Sequence, residues 1–169
     1  PRFAETPGPM FVSSSFSKSF SLYGERVGAL SVVAVDRDEA TRVLSQLKRT
    51  IRANYSSPPT HGSQIVTTVL CSQEPRALWE AELATMRNRI KLMRALLVER
   101  LHECMPDADF RYMLEQRGMF SYSGLSKPQV QRLREEFGVY AVDTGRVCVA
   151  ALNPKNVDYT AEAIAKVMK

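Results

Sequence analysis

At 169 residues the chain is long enough to bury a real core, and its 44% hydrophobic and 24% charged residues match a soluble globular protein. A net charge of +5 invites a nucleic-acid partner, but basic and acidic residues are interleaved, as in Arg132-Leu133-Arg134-Glu135-Glu136, with no basic block and no aromatic-interleaved RNA motif. No apolar run approaches the ~20 residues that span a bilayer, which argues against a membrane-spanning helix.

The opening segment, Pro1-Arg2-Phe3-Ala4-Glu5-Thr6-Pro7-Gly8-Pro9, lacks a basic head followed by an apolar core, so it does not read as a signal peptide. Without an initiating Met it reads as a cut inside a longer chain. Next, Ser13-Ser14-Ser15-Phe16-Ser17-Lys18-Ser19-Phe20-Ser21 sets one lysine among serine hydroxyls, and Leu22-Tyr23-Gly24-Glu25-Arg26-Val27-Gly28 adds an arginine soon after. Runs of this composition are ordinarily solvated loops. This one passes into Leu30–Val35, an apolar, β-branched run that reads as a buried strand, and a loop placed against such a strand is held rigidly.

Asp36 is a candidate N-cap for a helix with Ala40, Val43, Leu44, Leu47 and Ile51 on its apolar face. Tyr55-Ser56-Ser57-Pro58-Pro59-Thr60-His61-Gly62 ends it, because two prolines cannot continue a helix and Gly62 permits a turn. Ser63–Leu70 reads as a strand by propensity. From Glu74 to about Glu103 the pattern is one long helix, with Trp79, Leu83, Met86, Ile90, Met93, Leu97 and Leu101 as a core-facing stripe. Acidic residues early and basic residues later in that helix suit its dipole.

Beyond it the pattern is compact α+β. Phe110–Leu114 and Met119–Ser123 read as short strands, and Ser126 caps a helix that has Pro128 in its first turn and stops at Gly138. Val139–Val142 and Arg146–Ala150 read as two further strands, and a last helix starts near Asp158. Cys71, Cys104 and Cys148 show neither metal spacing nor a disulfide framework, and reduced thiols in a cytoplasmic protein account for them most simply. His61 reads as a loop residue and His102 as a helix-surface residue.

The Lys18 segment has a specific chemical meaning. A lysine that forms a Schiff base with an aldehyde cofactor must lie near that cofactor's other anchor. For pyridoxal phosphate this anchor is the phosphate, which calls for hydroxyl and backbone N–H donors and a guanidinium. Ser15, Lys18 and Arg26 supply that set. The segment resembles the lysine segment of the aspartate and aromatic amino-acid aminotransferases, the class I, fold-type I pyridoxal-phosphate family, in which serine, lysine, tyrosine, glutamate, arginine and glycine recur at this spacing.

Further stretches carry the same resemblance. Ile51-Arg52-Ala53-Asn54-Tyr55-Ser56 is similar to the segment whose arginine reaches from the neighbouring subunit to a substrate's side-chain carboxylate. Thr144-Gly145-Arg146-Val147-Cys148-Val149-Ala150 is similar to the segment whose arginine clamps the α-carboxylate. Phe120, in Gly118-Met119-Phe120-Ser121, matches an aromatic that covers bound substrate, although strand alternation could equally bury it as a core residue. Tyr23 matches a supporting tyrosine near the lysine. Without the family, Arg52 and Arg146 would read as surface charges.

The resemblance covers nearly the whole chain. It implies the C-terminal part of an α/β, pyridoxal-phosphate transferase fold: residues 1–85 from a large, mostly parallel domain, and 86–169 as a small α+β domain, joined through the helix at about 74–103. It also implies a helix, not a strand, over Ser63–Leu70. The implied activity is transamination between an aromatic or acidic L-amino acid and a 2-oxo acid such as 2-oxoglutarate, in a cytoplasmic homodimer. Lys18 would be catalytic, Ser15, Lys18 and Arg26 cofactor-binding, and Arg146, Arg52 and Phe120 substrate-binding. The matching stretches lean towards aromatic substrates. The residues that pair with the pyridine nitrogen and stack on the ring have no counterpart here, so these residues alone are expected to be inactive. Two alternatives are an aspartate enzyme with little aromatic activity and a non-catalytic module that kept the scaffold.

Overall fold

The computed structural model describes residues 8–169, and the reading of the opening residues 1–7 lies outside them. The elements run β1 (Met10–Ser15), β2 (Gly28–Val33), α1 (Arg37–Tyr55), α2 (His61–Cys71), α3 (Gln73–Cys104), α4 (Tyr112–Glu115), β3 (Phe120–Tyr122), α5 (Lys127–Phe137), β4 (Arg146–Cys148), a 3-10 turn (Val149–Ala151) and α6 (Val157–Met168). Helices and strands are mixed, as an α/β fold requires. The chain divides into two compact units, and the division falls inside α3, between Glu80 and Ala81. No helix among the described residues is long and apolar enough to cross a membrane.

In the first unit, β1 and β2 form an antiparallel ribbon from Met10 opposite Val33 to Ser15 opposite Gly28. The buried strand expected at Leu30–Val35 is instead a largely exposed strand at Gly28–Val33, with Leu30 50% and Val35 79% exposed. An apolar strand is buried only where layers cover both its faces, and among the described residues one neighbouring strand is all that pairs with it. Both strand pairings in the described residues are antiparallel, so these strands by themselves do not display a parallel sheet.

Asp36 caps α1 as expected. Its carboxylate accepts from the Glu39 N–H at 2.7 Å, while the Glu39 carboxylate accepts from the Val35 N–H at 2.6 Å. The apolar face of α1 is present in sequence but has no buried residue. The Ser63–Leu70 strand expected from propensity is helical in α2, because β propensity records a fit to a pleated surface and this segment has no strand beside it. Gly62 is not a turn residue. It lies in the first turn of α2, where an added Cβ would sit 3.0 Å from the Glu25 Cβ and 3.1 Å from Val27 Cγ1. The missing side chain lets α2 pack directly on the loop that carries Arg26.

The second unit holds most of the core. Met93, Leu97 and Leu101 from α3 are buried with Met113, Leu125, Val130, Leu133, Val149 and Ile164, whereas Met86, earlier in the expected stripe, is 46% exposed. Phe110–Leu114 does not form a strand. Phe110 is buried, and the chain turns into the short helix α4 with the Met113 N–H bonded to the Phe110 carbonyl at 3.0 Å. Ser126 starts α5, the Gln129 side chain accepts from its N–H at 2.9 Å, and Gly138 closes the helix at φ 63°. Val139–Val142 is not a strand and keeps one rung to β4, the Val142 N–H to the Arg146 carbonyl at 3.1 Å. The expected strand Arg146–Ala150 shortens to Arg146–Cys148, since Val149 tightens into the 3-10 turn and is buried. β3 and β4 pair antiparallel, with Tyr122 opposite Arg146 and Phe120 opposite Cys148.

Gly145 sets the start of β4. It has φ 81°, and a Cβ there would lie 2.5 Å from the Leu125 carbonyl oxygen. Its own carbonyl accepts from both the Ser123 N–H at 2.9 Å and the Ser123 hydroxyl at 2.6 Å. Gly145→Ala combines left-handed strain of about 1–3 kcal/mol with a backbone clash. Gly118→Ala, at φ 86° but with nothing within 4 Å, carries the strain alone. Urea unfolding is expected to rank Gly145→Ala as the more destabilised variant, and equal losses would contradict the packing argument.

Candidate active site

The Lys18 loop hangs between β1 and β2. Its base is closed by the Phe16 N–H bonded to the Val27 carbonyl at 3.2 Å, and one turn is fixed by the Phe20 N–H on the Phe16 carbonyl at 3.1 Å. Within it the burial alternates usefully. Ser17 is 8% exposed, Phe16, Ser19 and Phe20 are half-buried, and Lys18 is exposed. The Ser17 N–H donates to the Ser15 hydroxyl at 3.2 Å, so Ser15 is tied to the same loop. A reactive lysine on such a loop points outward from a backbone that is held.

The Lys18 ammonium lies over the Tyr23 ring, 4.7 Å from its centroid. Tyr23 in turn accepts, through its backbone carbonyl, a 2.9 Å hydrogen bond from an Arg26 Nη1–H. Ser21 and Arg26 both adopt left-handed backbone, at φ 55° and 53°, a conformation that non-glycine residues seldom take and that concentrates at functional sites. Beside them, Glu25 pairs with His61 of α2, Oε2 to Nδ1 at 3.0 Å. His61 is therefore a helix residue with a carboxylate neighbour, and not a free loop residue. Lys18 and Arg26 enter no ion pair among the described residues. A primary amine, a hydroxyl and a guanidinium with N–H groups to spare are a donor set suited to a carbonyl compound bearing a phosphate.

Phe120 and Arg146 meet in the second unit. The Arg146 guanidinium stacks over the Phe120 ring, 4.8 Å from its centroid, and both residues are exposed. Phe120 is not a core residue: β3 turns Ser121 inward, at 2% exposure, and leaves Phe120 41% and Tyr122 55% exposed. The reason lies in Arg94 of α3, which is buried and donates from Nε to the Ser121 hydroxyl at 3.1 Å and from Nη2 to the Gly118 carbonyl. Burial, and then the Arg117 charge, lowers the Arg94 pKa from its ordinary value. No buried side-chain polar atom among the described residues lacks a partner. Arg94 thus holds the strand that presents Phe120. An arginine one place after a stripe methionine gives no hint of this in sequence.

Arg52 lies in the last turn of α1, exposed, and its backbone carbonyl accepts from the Ser56 N–H at 3.0 Å. Among the described residues no hydrogen bond or ion pair joins it to Lys18, Tyr23 or Arg26. Trp79, assigned to the α3 stripe from its spacing, does something more specific. Its indole N–H donates to the Ser19 carbonyl at 2.7 Å, and its ring stacks on Phe20 at 4.7 Å and 22°.

Residues 2–164 match the family of class I and II aminotransferases, and the chain belongs to that family. It is 60% identical over 98% of its length to the aspartate aminotransferase of Pseudomonas aeruginosa, and 58% identical over 95% to the aromatic-amino-acid aminotransferase of Escherichia coli. The crystal structure of an aromatic-amino-acid aminotransferase from Burkholderia pseudomallei, covalently bound to pyridoxal phosphate, superposes with a TM-score of 0.88 at 66% identity over 94% of this chain. The chain spans 42% of the Pseudomonas protein and 40% of the other two.

Proposed function

We propose that the full-length protein is a pyridoxal-phosphate-dependent aminotransferase that moves an amino group between an aromatic or acidic L-amino acid and a 2-oxo acid such as 2-oxoglutarate. The observation that carries this reading is the exposed Lys18 amine on an anchored loop, over Tyr23 and near Arg26. The residues present suit the cofactor, with Lys18 for its aldehyde and Ser15 and Arg26 for its phosphate. When bound, the cofactor supplies an electron sink for the charge left at the substrate Cα. Lys18 supplies the covalent tether. Once free of that tether, the Lys18 amine would move a proton at the substrate Cα. Arg146 binds the α-carboxylate through two parallel N–H bonds, and Phe120 packs over the substrate and steadies that guanidinium.

Residues 1–85 belong, on this reading, to the large domain and 86–169 to the small one. The exposed apolar faces of β1, β2 and α1 are then surfaces for the rest of the chain and for a second subunit. A cytoplasmic setting accords with the free thiols of Cys71, Cys104 and Cys148. The reading is tested by reducing the full-length protein with borohydride and mapping the peptides. The reduced cofactor is expected on Lys18, and its recovery on Lys48, Lys91 or another lysine would overturn the assignment.

Arg52 carries a separate expectation. As the residue that meets a side-chain carboxylate across a two-fold dimer, it completes the site built on the other chain's Lys18. Arg52→Asp is expected to hurt acidic substrates and spare tyrosine. Mixing Lys18→Ala with Arg52→Asp chains is expected to restore activity toward aspartate, because each heterodimer keeps one intact site. Verified heterodimers without recovery would mean that Arg52 acts within its own subunit or not at all.

A further inference from the structure

We propose that Trp79 is a positioning residue for Lys18: its indole clamps the Lys18 loop by a hydrogen bond to Ser19 and a stack on Phe20. The inference rests on the cofactor reading of Lys18 and extends it to a residue far away in sequence. Ser19 and Phe20 are the two residues that follow Lys18, so a fixed Ser19 carbonyl and a fixed Phe20 ring fix the chain on the lysine's C-terminal side. The Trp79 N–H to Ser19 bond is 2.7 Å and half-buried, and it spans sixty positions of sequence. The ring stack is 4.7 Å at 22°, and Phe20 meets Phe16 edge-on at 5.4 Å and 90°. Phe16, on the N-terminal side, is itself bonded to Val27. Trp79, Phe20 and Phe16 therefore form one aromatic chain that ties together the residues on either side of Lys18. Between Phe16 and Phe20, Lys18 is the one residue left exposed.

This arrangement answers a physical need. A lysine that serves as tether and then as proton carrier must return to the same place after release, and a loop free to drift would lose the geometry on which proton transfer depends. Generic core packing would not use the indole N–H. A tryptophan is required only where a ring and a donor must act together.

The test uses the full-length protein with cofactor bound. In the unchanged protein, borohydride labelling of Lys18 is established first; a label elsewhere would overturn the cofactor reading itself, independently of Trp79. Trp79→Phe keeps a ring and removes the donor, Phe20→Leu removes the stacking partner, and Val130→Ala is a control that thins the core around α5, to which no residue of the loop contributes. Trp79→Phe is expected to lower kcat about tenfold, a part of the ~10²-fold that a 1 Å misplacement costs, with KM for the amino acid changed less than about twofold. The pH profile of the lysine-bound cofactor's visible absorbance is expected to move in Trp79→Phe and Phe20→Leu and to stay in place in Val130→Ala. If Trp79→Phe does not fold, Phe20→Leu decides. Variants whose kcat and absorbance profile match those of Val130→Ala, at comparable loss of Tm, would overturn the proposal and leave Trp79 a packing residue.

Discussion

Lys18→Ala in the full-length protein is expected to abolish turnover, by roughly 10⁴-fold or more, while the fold stays intact. General acid–base work by one side chain contributes about 10²–10⁴-fold, and on the proposed function the same amine would also be the covalent tether, so both contributions would vanish together. The fold survives because Lys18 is exposed, with its ammonium over the Tyr23 ring. The bonds that shape the loop belong to Phe16, Ser17, Ser19 and Phe20. Single-turnover kinetics alongside thermal unfolding separates the two. A variant that keeps more than about one percent of the wild-type rate would place the essential amine elsewhere. A fall in Tm comparable to that of a core truncation would mean that the lysine is structural.

The helices were legible wherever local chemistry determines them. The Asp36 cap, the Ser126 start with Pro128, the Gly138 stop and the long α3 all follow from rules that act within one or two turns. Errors fell where a neighbour decides. Val139–Val142 and Phe110–Leu114 have strand-like composition, yet β3 is paired by β4, and burial of Phe110 turns the following residues into α4. Ser63–Leu70 was misread from propensity for the same reason, and only family resemblance implied its helix. The exposed faces of β2 and α1 have apolar patterns that anticipate burial by something other than the described residues.

The residues proposed to carry charge for chemistry stand in local motifs, which a sequence displays. Lys18 and Arg26 sit on one loop, and Gly145 stands directly before Arg146. The residues that hold them were not visible. Trp79 and Arg94 lie in a helix whose stripe accounts for them as core or surface, and their partners Ser19, Gly118 and Ser121 are far away in sequence. A hydrogen bond from a side chain to a distant carbonyl leaves no periodic trace. A buried arginine bonded to a hydroxyl and a carbonyl, with no carboxylate among its partners, leaves none either.

Arg146→Lys is expected to lower kcat/KM for amino-acid substrates by roughly 30-fold to several-thousand-fold, and to leave cofactor binding unchanged. Truncating one partner of a desolvated charge pair costs about 2–5 kcal/mol, and each ~1.4 kcal/mol is tenfold. Lysine keeps the charge but loses two features that the structure displays. One is the planar fork that meets both carboxylate oxygens at once. The other is the stack on Phe120 at 4.8 Å, which orients that fork before any substrate arrives. Phe120→Ala removes only the second, so its loss should be smaller, near the ~0.5–1 kcal/mol of an exposed cation–π contact together with any lost cover over the substrate. Both variants leave Ser15, Lys18 and Arg26 untouched, and the cofactor's absorbance and its release rate should match those of the unchanged protein. An Arg146→Lys protein with native kcat/KM, or one that loses the cofactor as readily as it loses turnover, would show that Arg146 does not bind the α-carboxylate.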